Sequence, residues 1–421
     1  MRILLISLNY APEMTGIGFY SGEFAQHLAA QGHDVGVICS YPFYPEWRRD
    51  DSYPGSGWTI RTEQGVQVHR CPCYIPSSVS GVRRIVHYIS FAFAAFLPAL
   101  RISWRQRPDV VMLVAPALMG AFPALTAARL AGARRWLHIQ DFEVEAGFAT
   151  GQMGRHSLFG KCALWLEKRL LSRFDRATSI SPEMCSKIVE KGVEPSRILE
   201  LRNWANIDGI VPQESSSYRA EWDIRTPYVA LYAGSIARKQ GIETVIDAAR
   251  IMADRDDVTF IICGNGPTRG DLEQLAAELP NIQFHDLQPM ALLSELLNLA
   301  TVHLLPQKRD AADLVLPSKL ANMLASGRPV VAGVEPGRGL AREVEGAGLT
   351  CSPEDGAAMA SAIERLIADR ELYRSCATEA RVRAKERWSK ASILAAAEGE
   401  LVALAEGHHA LTSIGEKGLR K

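Results

Sequence analysis

Short runs of branched and leucine-rich residues alternate along this chain with longer stretches whose apolar positions recur at helical spacing. Residues 3–8 read as a buried first strand, followed by a glycine-bearing loop and a helix over 19–31. Gly32-His33-Asp34 turns the chain into a second strand at 35–40, and further strands are expected at 66–70, 109–115, 135–140 and 176–180. Uninterrupted apolar strands alternating with helices indicate a parallel sheet covered on both faces.

The pattern breaks over 201–227, where Pro, Ser, Asn and charged residues crowd together as in an interdomain linker. It then restarts. Strands are expected at 228–232, 258–263, 282–285, 301–305 and 329–332, with helices over 242–254, 270–279, 291–299 and 318–326. One or two long amphipathic helices fill 371–405, and a polar tail follows Gly407. The expected architecture is α/β, two Rossmann-like doubly wound parallel-sheet domains, 1–205 and 206–384, with a loose tail at 407–421. Such sheets bind ligands at the carboxyl ends of their strands.

Composition narrows the class. The 421 residues are 47% hydrophobic and 22% charged, as in a soluble globular protein, with no net charge. Basic residues exceed acidic ones in 1–205 and the reverse holds beyond, so anionic partners are favoured on the first domain. Nothing has the interleaved aromatic and basic pattern of a nucleic-acid module. The 8 cysteines are scattered without a CxxC pair, which suits reduced core residues in a cytoplasmic protein. The apolar start is too short for a secretory leader, and the apolar stretch at 85–100 is too short and too polar for a spanning helix.

Three loops carry phosphate-friendly chemistry in the second half. Gly234 lies in a strand-to-helix loop that also holds Arg238 and Lys239; Asn265 and Gly266 repeat the pattern one unit later; Ser318 and Lys319 open a helix, with Asn322 one turn on. Glycines admit close backbone approach, and cations at a helix start suit a diphosphate. In the first half Gly16 and Gly18 precede a helix, but the loop lacks the spacing and the acidic partner of a dinucleotide fingerprint. The alternative for each loop is a plain solvated turn.

The order of GSIARKQGIETVIDAA, CGNGP and PSKLANMLASGRPVVA after a glycine-bearing first loop resembles the GT-B glycosyltransferases of family 4 over nearly the whole chain. HIQDFEVEAGF and DAADLVLPSKLANMLASGRPVV are most similar to the colanic-acid-type exopolysaccharide transferases. The resemblance implies retaining transfer without a metal or other cofactor. The donor nucleotide sugar would be held by the second domain and the acceptor by the first, with a C-terminal helix at about 385–405 crossing back near Trp388. It implies that Gly16 and Gly18 approach the donor phosphates, that Arg238 and Lys239 neutralise the leaving diphosphate, and that Ser318 and Lys319 sit against it. A GDP-linked sugar such as GDP-fucose, and a glycan or polyprenyl-diphosphate-linked acceptor, are the implied partners.

This chain also departs from the family. Ser235 and Gln240 stand where an arginine and a lysine are common, and Leu314 and Asn322 where paired glutamates are; Asp310 and Asp313 are candidate substitutes. The family's His-Asp pair becomes Gln140-Asp141, with His138 on the same strand. Asp141, Glu143 and Glu145 form an acidic patch at a strand end, where Asp141 is a candidate for handling the acceptor proton, unless the patch is simply a solvated loop. His138 reads more readily as a satisfied strand histidine than as a base. Residues 81–107 combine Arg83, Arg84, Arg101, Arg105 and Arg107 with aromatics and no acid. They fit a helix on an anionic membrane's inner face, a groove for a lipid diphosphate, or a buried core helix. An epimerase or hydrolase on the same fold, or a non-catalytic nucleotide-sugar binder, are the rival functions.

Overall fold

A computed structural model of the chain describes residues 1–14, 16–53, 56–77, 81–143, 157–309 and 316–407. The chain forms two compact units: Met1–Arg202 together with the segment from Leu394, and Asn203–Ile393.

The first unit holds β1 (Arg2–Ser7), β2 (Asp34–Ser40), β3 (Thr59–Glu63), β4 (Val66–Cys71), β5 (Val110–Ala115), β6 (Arg134–Ile139), β7 (Arg176–Ser179) and β8 (Ile198–Glu200). Their order is β3-β4-β2-β1-β5-β6-β7-β8. All neighbours are parallel except the β3–β4 hairpin. Strand β5 is buried at every position, which is why it reads as an unbroken apolar run. Strand β3 escapes the sequence pattern because it is an exposed edge. Its hairpin closes through Gln64 and Gly65, both at positive φ. Strand order reverses between β1 and β5, so the ligand crevice of this sheet lies where those two strands end.

The second unit holds β9 (Tyr228–Ala233), β10 (Val258–Cys263), β11 (Ile282–His285), β12 (Val302–Leu305), β13 (Val330–Gly333) and β14 (Gly348–Cys351), in the order β11-β10-β9-β12-β13-β14 and all parallel. Its reversal point falls between β9 and β12. The expected linker is in fact built into this unit. Tyr218 is buried, its ring meets Trp222 at 4.3 Å, and Trp222 stacks on His285 at 3.7 Å.

Two helical expectations change. The apolar stretch at 85–100 lies inside a longer helix, Gly81–Gln106, long and apolar enough by length and composition to cross a membrane. Its inner face (Tyr88, Phe91, Ala95, Ala99, Ile102) is nevertheless part of the first unit's core, where it meets the alanine-rich helix Ala121–Ala131. The last long segment is two helices, Arg370–Trp388 and Lys390–Ala405, broken at Ser389, whose extended backbone bridges to Ala205. Trp388, expected to cross back, is buried in the second unit beside Leu320, Leu324 and Ala384. The return to the first unit is made by the final helix, where Glu398 meets His27 at 3.2 Å and His33 at 3.0 Å.

One buried cation ties the amino-terminal loop to the sheet edge. Arg70, only 2% exposed, donates to Glu63 at 2.8 Å, to the Ala11 carbonyl at 2.7 Å and to the Ser40 carbonyl at 3.3 Å. Arg70→Ala strands all three acceptors and is expected to lower unfolding stability by about 3 kcal/mol, read from urea denaturation; a loss within error would show that the loop holds itself.

Candidate functional site

In the second unit the loops after β9 and β10 lie backbone against backbone. The Gly234 amide donates to the Cys263 carbonyl and the Ile236 amide to the Asn265 carbonyl, both at 2.9 Å. A Cβ on Gly264 would overlap the Gly234 carbonyl, and one on Gly266 would overlap that of Ile236. Only glycine fits. Arg269 pins the second loop, donating to the Gly264 carbonyl at 3.2 Å and the Asn265 side-chain oxygen at 2.5 Å while pairing with Asp286. The Asn265 oxygen is thus already committed to the protein.

The helix Ser318–Ala325 brings the third loop alongside. Lys319 lies against Gly234, where a Cβ would stand 3.7 Å from its Nζ. Its ammonium donates to the Tyr232 hydroxyl at 3.0 Å and to Gln240 Oε1 at 3.1 Å, and lies 4.2 Å from the Tyr232 ring centroid. Tyr232 donates in turn to the Ser235 carbonyl at 2.6 Å, and burial pushes its phenol well above the ordinary range, so the proton stays on. Gly234, Asn265, Gly266 and Lys319 are therefore brought together at the β9–β12 reversal point. Arg238 is exposed at the start of the single turn Arg238–Gln240, and Asn322 is half-buried one turn after Ser318. The side chains of Lys239 and Ser318, and residues 310–315 with Asp310, Asp313 and Leu314, lie outside the described atoms. Tyr232 and Gln240 were not anticipated as a pair. A tyrosine one residue before a strand's end, ahead of glycine, was the available signal for the first.

The first unit's glycine turn differs from expectation. Gly16, at φ +63, opens the helix Gly16–Ala30 rather than preceding it, and Gly18 lies within its first turn. The space a Gly18 side chain would need is filled by the Glu13 carboxylate. Buried, Glu13 accepts from the Phe43 and Tyr44 amides at 3.1 Å each and from Asn9 at 2.9 Å. Desolvation raises its pKa against those hydrogen bonds. At Gly18 the neighbour on the side where a Cβ would stand is thus the chain's own acid.

At the end of β6 the acids separate by environment. His138 is buried, bonded to Thr178 at 3.0 Å, and desolvation drops its pKa to about 4; it belongs to the sheet interior and not to an exposed acceptor site. Gln140 is buried at the strand end, with its amide donating to the Ala115 carbonyl at 3.1 Å. Asp141 is half-buried on the bend that follows. Glu143 accepts from the Leu118 amide at 3.0 Å, and burial pushes its carboxyl up to about 7. Arg84 donates to the Tyr88 hydroxyl at 2.6 Å, and its charge partly offsets the effect of burial on Glu143. Leu118 follows β5, so this cluster sits at the first sheet's own reversal point. Glu145 lies outside the described residues, among which no three His, Cys, Asp or Glu converge as metal ligands.

Doubly wound parallel sheets in both units, with glycine loops and a lysine at the second reversal point, define the class of GT-B glycosyltransferases. Residues 15–204 match the glycosyl transferase 4-like domain and residues 227–369 the glycosyl transferases group 1 domain, and the chain belongs to this family. It is 40% identical over 336 residues, 78% of this chain and 82% of the relative, to an Escherichia coli (strain K12) protein provisionally named the colanic acid biosynthesis glycosyl transferase WcaI. It is also 26% identical over 388 residues to a GDP-mannose-dependent alpha-mannosyltransferase of Mycolicibacterium smegmatis, covering 89% of this chain and 90% of that one. Among solved structures, sucrose-phosphate synthase from Thermosynechococcus elongatus shares the fold at a TM-score of 0.71 and 18% identity, covering 96% of this chain and 99% of that one.

The raised Glu143 has a stability consequence. Its folded pKa exceeds the unfolded value, so its contribution is present below the ordinary carboxylate range and is lost as pH rises through about 7. Glu143→Gln keeps an acceptor for Leu118. Its melting temperature is expected to match wild type at about pH 5 and to exceed it at about pH 8. A lower value at the higher pH would mean that Arg84 fully compensates the charge.

Proposed function

We propose that the protein is a retaining glycosyltransferase that moves a sugar from a nucleoside diphosphate, a GDP-linked sugar such as GDP-fucose being favoured, to a lipid-linked exopolysaccharide intermediate. The carrying observation is Lys319, held by Tyr232 and Gln240 against Gly234 where the two glycine loops meet. A fixed ammonium beside open backbone suits the charge that develops on a departing diphosphate. Arg238, exposed on the same loop, adds a second cation that can reach the phosphates. No metal is required on this reading, because the chain's own cations supply the neutralisation. The M. smegmatis relative's GDP-mannose dependence supports the choice of base, and the E. coli relative's assignment supports the acceptor class. Asp141 and Glu143, at the first sheet's crevice, are the groups placed to orient or deprotonate the acceptor hydroxyl.

Lys319→Met keeps the stem and removes the charge. It is expected to lower kcat by about 100- to 1000-fold with the circular dichroism spectrum unchanged, and undiminished turnover would sink the donor assignment.

A lipid-linked acceptor places the enzyme at a cytoplasmic membrane face, and the helix Gly81–Gln106 is suited to that location. Its outward positions Val82, Phe93, Leu97 and Trp104 are 74%, 79%, 69% and 74% exposed, with Val86, Ile89 and Phe96 on the same stripe. Trp58 lies alongside, donating its indole N–H to the Ala94 carbonyl at 2.9 Å while its ring stays exposed. Arg83, Arg101 and Arg105 are exposed on this helix, which carries no acid. An apolar stripe edged by guanidiniums and indoles matches an anionic bilayer surface. Binding to phosphatidylglycerol vesicles in sedimentation assays is expected to weaken at least tenfold in Arg101→Gln/Arg105→Gln, at roughly 1 kcal/mol per arginine, and to disappear in Phe93→Ser/Leu97→Ser. Equal partitioning of all variants would remove the membrane from the proposal.

A further inference from the structure

The second unit carries a cavity of about 480 Å³ at the amino edge of its sheet, the end opposite the glycine loops. Tyr228, the first residue of β9, and Thr301, just ahead of β12, form its floor, and the Thr301 amide donates to the Val229 carbonyl at 2.8 Å. Six residue steps along β9 lead from Tyr228 to Gly234, about 20 Å at the rise of an extended strand. The cavity is therefore distinct from the donor site.

Its walls hold Arg219, Arg328 and Arg370 against a single carboxylate, Glu214. Among the described residues none of the three arginines forms an ion pair. Arg219 donates to the Thr226 and Pro227 carbonyls at 2.7 and 2.9 Å. Arg328 donates to the Gln213 carbonyl at 2.6 Å and to the Tyr373 hydroxyl at 3.4 Å, and its Nε is buried without a partner. Arg370 opens the 19-residue helix Arg370–Trp388, whose first amides are partly taken by the Asp369 cap. Burial, and after it the nearby charge of Arg328, disfavour the charged form of Arg219. With Arg219 and Arg328 spending donors on neutral oxygens and only Glu214 opposing three guanidiniums in the lining, the concavity keeps a net positive charge.

We propose that this cavity binds a small phosphorylated molecule, with its phosphate between Arg219, Arg328 and Arg370 and the remainder against Tyr228 and Tyr373. A phosphate there satisfies the planar donors bidentately and relieves the repulsion between the two inner arginines. Thr301 lines the same space, and its hydroxyl, which accepts from the Val229 amide at 3.0 Å, can donate to a hydroxyl of the attached group; Asn298 is buried, its side-chain amide bonded to Gln213, Val211 and Ser294. The volume accommodates a monosaccharide phosphate and is small for a nucleotide sugar.

Isothermal calorimetry on the full chain, with inorganic phosphate and glucose 6-phosphate as separate probes, tests the assignment. Saturable binding of at least one probe at submillimolar to millimolar affinity is expected. Arg370→Glu, at an exposed position without an ion pair, is expected to weaken it at least tenfold, and Arg219→Lys to weaken it while preserving the Thr226 contact. Lys319→Met, which disables the other edge of the sheet, is expected to leave it unchanged. Absence of saturable binding, equal binding in Arg370→Glu, or loss in Lys319→Met would each overturn the proposal.

Discussion

The second unit depends on one steric constraint: the backbones after β9 and β10 touch, and nothing larger than hydrogen fits at Gly264 or Gly266. This contact extends the parallel pairing past the end of the sheet through the two amide-to-carbonyl bonds from Gly234 and Ile236. Amides and carbonyls that would otherwise be loop groups are thereby fixed, with glycines at 234, 264 and 266. Lys319 lies against Gly234, and its ammonium bonds to the Tyr232 hydroxyl of β9 and to Gln240 of the loop that follows. Electrostatic stabilisation of a leaving group requires charges fixed before reaction. Here the fixing comes from glycine.

Much of this arrangement was legible from residue pattern alone. Buried parallel strands declare themselves as unbroken apolar runs, and glycines directly after them mark where backbone meets backbone or ligand. The order of strand, glycine loop and basic helix start was enough to place Gly234, Gly266 and Lys319 on one sheet edge. What stayed hidden shares a physical origin. Strand β3 is an exposed edge with no apolar face to betray it. Glu13 looks in sequence like any loop acid, and only its burial against three donors makes it structural. The arginines of the distal cavity come from positions 219, 328 and 370, so no local spacing connects them.

The helix Gly81–Gln106 shows why composition alone leaves such a segment ambiguous. Its sequence is apolar nearly all round, which fits a core helix and a membrane helix equally. In the fold one face of the helix is core and the other is an exposed apolar stripe. Aromatic and alanine positions face the core, while a stripe advancing by three and four residues from Val82 to Trp104 faces outward. Burying the outer stripe inside the same unit would require another layer of structure. Leaving it in water exposes several large side chains at an energetic disadvantage of roughly 25 cal/mol per Å². The arginines keep such a face soluble while giving it an electrostatic preference for an anionic surface.

The Glu13 carboxylate bears on how the two units share the work. A glycine turn at a helix start ordinarily offers its amides to an external anion. Here the turn is packed against a buried acid that already draws on Asn9, Phe43 and Tyr44. A diphosphate brought against that acid would meet a like charge or force its protonation, so tight phosphate binding by the first unit's turn is disfavoured. The second unit has no such acid within its described loops: its cations, Lys319 and Arg238, adjoin bare backbone. Under the proposed transfer, this difference in charge favours the second sheet's reversal point for the leaving group. The same proposal leaves Asp141 and Glu143 in the first sheet to the hydroxyl that gives up its proton.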